Sequence, residues 1–233
     1  DNSHIKKRID YIVNTVLNND SDLIIFSENE FPYIISDKAN LKPFSSLLKE
    51  NQSIIIGGTA KENSKFYNSM FLIEKNNIER FDKNILVPFG EFLPFRKYLN
   101  FFNTIVGDFD FTRGESNRIM SLKNGLTFMP IICYEIIFFN KLLDDFNQDT
   151  QLMINITNDS WFGDFSGPYQ HFYLSRLRTA EFNKSLIRVS NNGISALINN
   201  KGKIIDYTSL NKKEILKSEI NIPYESENLK AYH

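Results

Sequence analysis

Three side chains of complementary chemistry stand just past three predicted strands. Glu28 follows residues 23–26, Lys83 follows residues 78–81, and Cys133, the only cysteine of the chain, follows residues 126–132. In α/β folds the reactive groups gather where strands end and loops begin. A carboxylate that takes a thiol proton, a sulfur that attacks a carbonyl and an ammonium that stabilises the resulting oxyanion make up an acyl-transfer set. Cys133 also leads into Ile136, Phe139, Leu143 and Phe146, a helical spacing that places the thiol at a helix start, where the thiolate is favoured. Each residue alone has a plainer reading. Glu and Lys are surface residues by default, and a lone Cys in an apolar run ordinarily packs the core.

The elements around these residues predict an α/β domain with both hairpins and β-helix-β crossings. Ile5, Ile9, Ile12 and Val16 mark an amphipathic helix closed by Asn18-Asn19-Asp20. Residues 23–26 and 53–56 are short apolar runs of the kind covered on both faces, the second stopping at Gly57-Gly58. Residues 67–74 and 78–81 flank Asn76-Asn77 as a hairpin. Residues 126–132, 152–156, 187–190, 194–199 and 203–207 supply further strands, and Tyr173, Leu177 and Ala180 set the face of a helix over residues 169–185. Asn191-Asn192-Gly193 reads as a tight turn. The tail after Ile222 reads as loosely held.

Composition narrows the function. Lys and Arg number 27 against 28 Asp and Glu, which leaves no electrostatic case for nucleic acid. One cysteine excludes an internal disulfide and any cysteine zinc cluster, and His4, His171 and His233 lack ligand spacing, so no metal or organic cofactor is implied. No apolar run is long enough to cross a bilayer. Aromatic residues crowd residues 89–111, with Phe89, Phe92, Phe95, Tyr98, Phe101, Phe102, Phe109 and Phe111 among Arg96, Lys97, Asn100 and Asn103. Such a segment suits either core packing or a lid that touches lipid.

The strings around the three residues are more specific. Lys83 opens Lys83-Asn84-Ile85-Leu86-Val87-Pro88-Phe89-Gly90-Glu91-Phe92, Cys133 opens Cys133-Tyr134-Glu135, and Asn158-Asp159-Ser160-Trp161-Phe162-Gly163 and Gln170-His171 follow. In this order they resemble the nitrilase superfamily and, within it, the apolipoprotein N-acyltransferase family, from about Leu23 to Asp206. The resemblance implies a nitrilase-type α-β-β-α sandwich, with residues 1–233 as one catalytic domain cut from a larger membrane protein. Glu28 would then be the general base, Lys83 the oxyanion stabiliser and Cys133 the nucleophile. The Tyr134 backbone N–H would be a second oxyanion donor. Glu91 would hold Lys83 or receive the incoming amine, and Glu135 would orient the site. Glu135 is also expected to raise the thiol pKa, so that Glu28 activates the thiol on demand.

The family's Pro and Ala around the base are replaced here by Ser27 and Glu30, which sets a second carboxylate near Glu28. The sequence opens directly on the helix, without the family's preceding core strand or its membrane helices, so the sandwich is expected to be incomplete at its N-terminus. Further residues have structural readings: His171 as a helix-start residue, Arg176, Arg178 and Glu181 as ion pairs along one helix, and Trp161 and Phe162 as core or pocket lining. The resemblance implies a monomer at the bacterial inner membrane, on its periplasmic side, that moves an acyl group from a phospholipid to the N-terminal amine of a diacylglyceryl-lipoprotein. Two rivals stay open: a soluble amidase or carbamoylase with water as acceptor, and a non-enzymatic domain that keeps the fold.

Overall fold

The computed structural model describes residues 2–88, 90–92, 110–115, 117–163 and 165–220, apart from the side chains of Trp161 and Phe162. Most of the aromatic stretch read as a lid (Phe89, Phe95, Tyr98, Phe101, Phe102, Phe109) lies outside the described residues, as does the tail after Ile222.

Two sheets carry the architecture. The first joins β1 (Leu23–Ile25), β2 (Ser53–Glu62), β3 (Lys65–Ile73) and β4 (Ile78–Asp82) in chain order, with β1 parallel to β2 and the rest antiparallel. The second is ordered β10-β9-β8-β7-β6-β5, from β5 (Met120–Ser121), β6 (Thr127–Ile132), β7 (Leu152–Asn158), β8 (Ser185–Asn191), β9 (Ala196–Ile198) and β10 (Ile204–Tyr207). Its centre, β6-β7-β8, is parallel.

Strand alternation turns these sheets into four layers. Ile54, Ile56, Phe71 and Ile73 pack outward against Ile12 and Val16 of α1 (Asn2–Leu17) and against Phe44 of α2 (Lys42–Leu47). Their neighbours Ile55, Met70 and Leu72 point the other way and meet Phe128, Ile132, Leu152, Ile154 and Ile156 of the second sheet. Met129, Ile131, Met153 and Leu186 face outward again, toward Leu142 of α3 (Phe139–Asp144) and Phe172 and Phe182 of α4 (Ser166–Phe182). Each such side chain, fully buried, contributes about 1.5–3 kcal/mol of transfer free energy. The α-β-β-α order expected from the resemblance is therefore present, built by period-2 alternation in two sheets placed face to face. Among the described residues no helix is long and apolar enough to cross a membrane.

Four local expectations fail. The strand expected to stop at Gly57-Gly58 runs through both glycines to Glu62, then turns at Asn63-Ser64, both at positive φ (47° and 67°), into a hairpin with β3. Gly57 is there for close approach. A Cβ on it would lie 2.6 Å from the Glu28 Cα and 2.7 Å from the Ser27 carbonyl oxygen. Next, the helix expected after Cys133 is broken: a five-residue 3-10 turn, Cys133–Ile137, precedes α3, so Cys133 does not head an α-helix.

The helix face read from Tyr173, Leu177 and Ala180 is the exposed one. The buried face of α4 carries His171, Ser175, Arg178 and Thr179 along with Phe172 and Phe182. It covers a buried arginine, Arg188, so its inward side needs polar partners and the apolar periodicity points outward. Of the expected ion pairs, Arg178–Glu181 forms at 2.8 Å, while Arg176 donates instead to the Gly202 carbonyl at 3.1 Å.

Candidate active site

Lys83 extends the inward face of β4. Phe81 points between the sheets, and two residues on so does Lys83, 1% exposed and past the last rung of the ladder. Its N–H donates to the Asn68 carbonyl at 2.8 Å. Glu28 lies in the turn after β1. The Phe26 N–H donates to the Ile55 carbonyl, the Gly57 N–H to the Ser27 carbonyl, and the Phe31 N–H to the Gly57 carbonyl, so the turn is laid along β2. Cys133 breaks the alternation of β6. Ile132 already faces inward, and a φ of +51° turns the next residue inward as well, which brings the thiol into the space between the sheets.

The structure brings Glu28, Lys83, Cys133 and Glu91 together. The Lys83 ammonium is 2.8 Å from Glu91 Oε1 and 3.8 Å from Glu28 Oε1. The Asn68 side-chain amide donates to both carboxylates, at 2.7 Å each, and the Asn158 N–H donates to Glu28 Oε2 at 2.9 Å. Glu91 Oε2 accepts the Val87 N–H at 2.9 Å, which closes the loop that follows Lys83. The Cys133 thiol lies among the Glu28 carboxyl, the Thr157 side chain and the Asn158 backbone. Tyr134 is half-buried, its ring edge-on to Phe138 at 5.7 Å.

Electrostatics define the resting state. Burial pushes the thiol up to about 12, the Glu28 charge adds to the rise, and Lys83 opposes it. Burial also raises the Glu28 carboxyl, against the pull of Lys83 and Asn68. For Lys83 burial works against the ammonium, but Glu28, the sulfur and Glu91 more than offset it and the lysine stays charged. The rest state is therefore a neutral thiol beside a carboxyl and an ammonium. Alkylation of Cys133 by iodoacetamide is accordingly expected to rise about tenfold per pH unit from 7 to 9 without a plateau, as thiolate alone reacts; a plateau below pH 9 overturns this.

Glu135 acts differently from the expectation that its charge raises the thiol. It is fully buried, and burial opposes its charge. Arg118 and the backbone outweigh that and hold the carboxyl below its ordinary value. Arg118 grips it with two bonds, Nη1 to Oε2 at 2.9 Å and Nη2 to Oε1 at 3.0 Å. Glu135 Oε1 also accepts the Asn84 and Ile85 N–H groups at 2.8 and 3.0 Å, and Oε2 the Ile132 N–H at 2.8 Å. One carboxylate thus ties the residues after Lys83 to those flanking Cys133.

Sequence reasoning missed Asn68, Arg118, Thr157 and Gly57. Asn68 had a signal: in β3 it shares the inward face of Met70 and Leu72, so it is a polar group on an apolar side. Arg118 lies outside any pattern, although a buried Glu demands a cation. Replacing Gly57 with Ala forces its new Cβ onto the Glu28 backbone, and overpacking of this kind costs about 1–3 kcal/mol. The variant is expected to lose cysteine acylation while keeping its far-UV dichroism; unchanged acylation overturns this. Among the described residues no group of three or more His, Cys, Asp or Glu is placed to hold a metal ion.

Two stacked sheets with a thiol, two carboxylates and an ammonium at their shared edge place the chain in a known class. It belongs to the carbon-nitrogen hydrolase family, whose model matches residues 2–227. Its curated relatives are more particular. It is 39% identical over 196 residues to the apolipoprotein N-acyltransferase of Rhizobium leguminosarum bv. trifolii, covering 79% of this chain and 36% of that protein. It is 40% identical over 202 residues to the apolipoprotein N-acyltransferase of Rickettsia typhi, covering 82% of this chain and 40% of that protein. The chain thus spans 36–40% of the length of these relatives. Among solved structures, Saccharomyces cerevisiae Nit3, a member of branch 10 of the nitrilase superfamily, superposes with a TM-score of 0.65 at 18% identity, over 91% of this chain and 81% of that one. This likeness is one of fold.

Proposed function

We propose that the chain is the catalytic domain, residues 1–233, of a membrane-bound apolipoprotein N-acyltransferase. The observation that carries this reading is the buried Cys133 thiol between the sheets beside the Glu28 carboxyl, with the Lys83 ammonium 3.8 Å from that carboxyl. The names of the relatives choose the transferase over a hydrolase of the same fold. The domain would work as a monomer on the periplasmic side of a bacterial inner membrane, with a phospholipid as donor and a diacylglyceryl-lipoprotein as acceptor.

The chemistry follows from the geometry. Glu28 takes the proton of Cys133 as Sγ attacks the ester carbonyl of the phospholipid, and the developing oxyanion lies between the Lys83 ammonium and the Tyr134 N–H. The tetrahedral intermediate collapses with cleavage of the C–O bond, and Glu28 returns the proton to the lysophospholipid oxygen. The acyl group remains on Cys133 as a thioester. The neutral N-terminal amine of the lipoprotein then attacks that carbonyl and loses a proton to Glu28. The C–S bond breaks, Glu28 reprotonates the sulfur, and the amide is released. Glu91 keeps Lys83 aimed through both steps, and Asn68 fixes the distance between the two carboxylates.

The test uses the full-length protein, incubated with phospholipid and examined by intact mass. The expected result is an acyl adduct that is absent in Cys133→Ala, released by hydroxylamine and consumed by a diacylglyceryl lipopeptide with formation of the amide. No adduct, or an adduct that yields only free fatty acid in the presence of the lipopeptide, overturns the proposal.

A further inference from the structure

Behind Cys133, in the layer between the second sheet and α4, lies a cluster of polar side chains that the chemistry above does not use. Arg188 is fully buried on β8. Its Nη1 donates to Asn155 Oδ1 at 2.6 Å and to Ser175 Oγ at 3.2 Å, its Nη2 to Asp159 Oδ2 at 2.7 Å, and its Nε to the Ile194 carbonyl at 3.3 Å. Asp159 Oδ1 lies 2.9 Å from His171 Nδ1, and Ser190 Oγ donates to Asp159 Oδ2 at 3.0 Å. Although burial opposes its charge, the hydrogen bond from His171 and the charge of Arg188 hold Asp159 at about 2, so the arginine keeps its partner at neutral pH. Even Gly193 serves the cluster: a Cβ there would lie 2.0 Å from Asp159 Oδ2. The Asn191-Asn192-Gly193 turn takes its positive φ of 61° at Asn192, leaving Gly193 to make room.

The outlet of this cluster is the peptide that follows the thiol. With its oxygen fixed by Arg188, Asn155 has its amide nitrogen turned toward β6, where it donates to the Ile131 carbonyl at 3.2 Å and the Cys133 carbonyl at 3.4 Å. Burial and the charge of Arg188 lower the His171 pKa against the pull of Asp159 and the Cys133 backbone, and the His171 ring lies 6.1 Å from that of Tyr134. The Cys133 carbonyl and the Tyr134 N–H belong to one planar, trans peptide, so they point in opposite directions. Holding the carbonyl from the outer layer turns the N–H inward, toward the thiol, Lys83 and Glu28. Cys133 sits at φ +51°, a strained conformation for a residue other than Gly, which persists only when neighbours impose it.

We propose that Asn155, locked by Arg188, is a positioning residue that aims the Tyr134 N–H at the oxyanion of the acyl-transfer step. This rests on the assignment of Tyr134 as oxyanion donor. Asn155 touches no substrate and acts only through the Cys133–Tyr134 peptide. An Asp at this position would keep a partner for Arg188 but lose both donated bonds and set a carboxylate against the Cys133 carbonyl. The N–H would then tilt away from the oxyanion, which harms only reactions that pass through one.

The experiment compares two reactions of Cys133 in the full-length protein. Acylation by a p-nitrophenyl ester passes through an oxyanion and is read as the p-nitrophenolate burst; alkylation by iodoacetamide does not and is read by mass. In Asn155→Asp the burst rate is expected to fall on the order of 10- to 100-fold, since loss of one oxyanion donor costs up to about 10³. Alkylation is expected to stay within about twofold. Asn155→Ser, too short to reach the carbonyl and uncharged, is the second variant and is expected to behave alike. A burst that does not fall, or a parallel fall in both reactions, overturns the proposal. Wild-type protein given phospholipid in place of the ester reports on the acyltransferase reading separately, because the ester burst does not depend on which donor the enzyme prefers.

Discussion

Glu28→Gln is expected to slow acylation of Cys133 by roughly 10²- to 10⁴-fold, the usual worth of a positioned general base, while Glu30→Gln stays within a few-fold of wild type. Both carboxylates flank the same turn, yet their surroundings separate them. Glu28 points between the sheets, buried, lies beside the thiol, and accepts from the Asn68 amide and the Asn158 N–H. Glu30 points back toward α1, where it accepts from Ser27 Oγ at 3.1 Å and lies 3.9 Å from Arg8 Nε, while Arg8 also donates to the Asn29 carbonyl. The two departures from the family pattern, Ser27 and Glu30, thus answer each other across the turn. The pH profile supplies a second reading. The base acts when deprotonated, and burial raises the Glu28 carboxyl above 4.5, so the acid limb of the burst is expected above that pH. An acid limb below it, or equal losses in Glu28→Gln and Glu30→Gln, contradicts the assignment.

Arg118→Met is expected to destabilise the protein by about 3–5 kcal/mol, because it leaves the Glu135 carboxylate buried and unpaired. For a domain of this size the melting temperature would fall by roughly 6–20 °C. The loss carries a signature in pH. In the wild type the Glu135 carboxyl is held below its ordinary value of 4.5, so its contribution is complete above that value and disappears as pH falls through the lowered one. Without Arg118, burial pushes the same carboxyl up, and acid then relieves the variant. The gap between the two melting temperatures is expected to narrow below pH 5. A gap that stays constant on acidification would show that Arg118 contributes packing over the Phe81 ring, 5.1 Å away, more than charge. Arg118→Met combined with Glu135→Gln is expected to recover part of the loss, since the amide removes the lone charge and keeps an acceptor for the Asn84 and Ile85 N–H groups.

Glu28, Lys83 and Cys133 were legible because each follows a strand that the sequence marks: Lys83 comes two residues after Phe81 of β4, and Cys133 directly after Ile132, the last residue of β6. The four-layer order followed from the same runs, where Ile54, Ile55 and Ile56 are all buried yet divide between two layers. What escaped were polar groups that serve the core. Asn68, Arg118, Asn155 and Arg188 are each 2% exposed or less, in positions where composition predicts surface. The inward face of α4 was misread for the same cause: His171 and Ser175 look solvent-facing until Arg188 is placed beneath them, and Arg178 until it is laid over the Phe139 ring. The broken helix after Cys133 was hidden by Ile136 and Phe139, whose helical spacing persists across a 3-10 turn and a short helix. Backbone conformation at a single residue, the positive φ of Cys133, has no compositional mark when the residue is neither Gly nor Asn.

Asn68, Glu28 and Lys83 arrive with the first sheet, whereas Cys133, Thr157 and the Asn158 N–H arrive with the second. On the ribosome the two halves are made in succession, and the base and the ammonium exist for some time with no sulfur to act on. The sulfur, once made, is not set against Glu28 in its final geometry until β7 is complete and the Asn158 N–H can hold the Glu28 carboxylate. A nascent or half-folded chain therefore holds a thiol without its base and its oxyanion donors, so the acylation site is not yet assembled. Reactivity switches on with the closing of the seam between the sheets, which makes acyl uptake a late and sensitive reporter of correct folding.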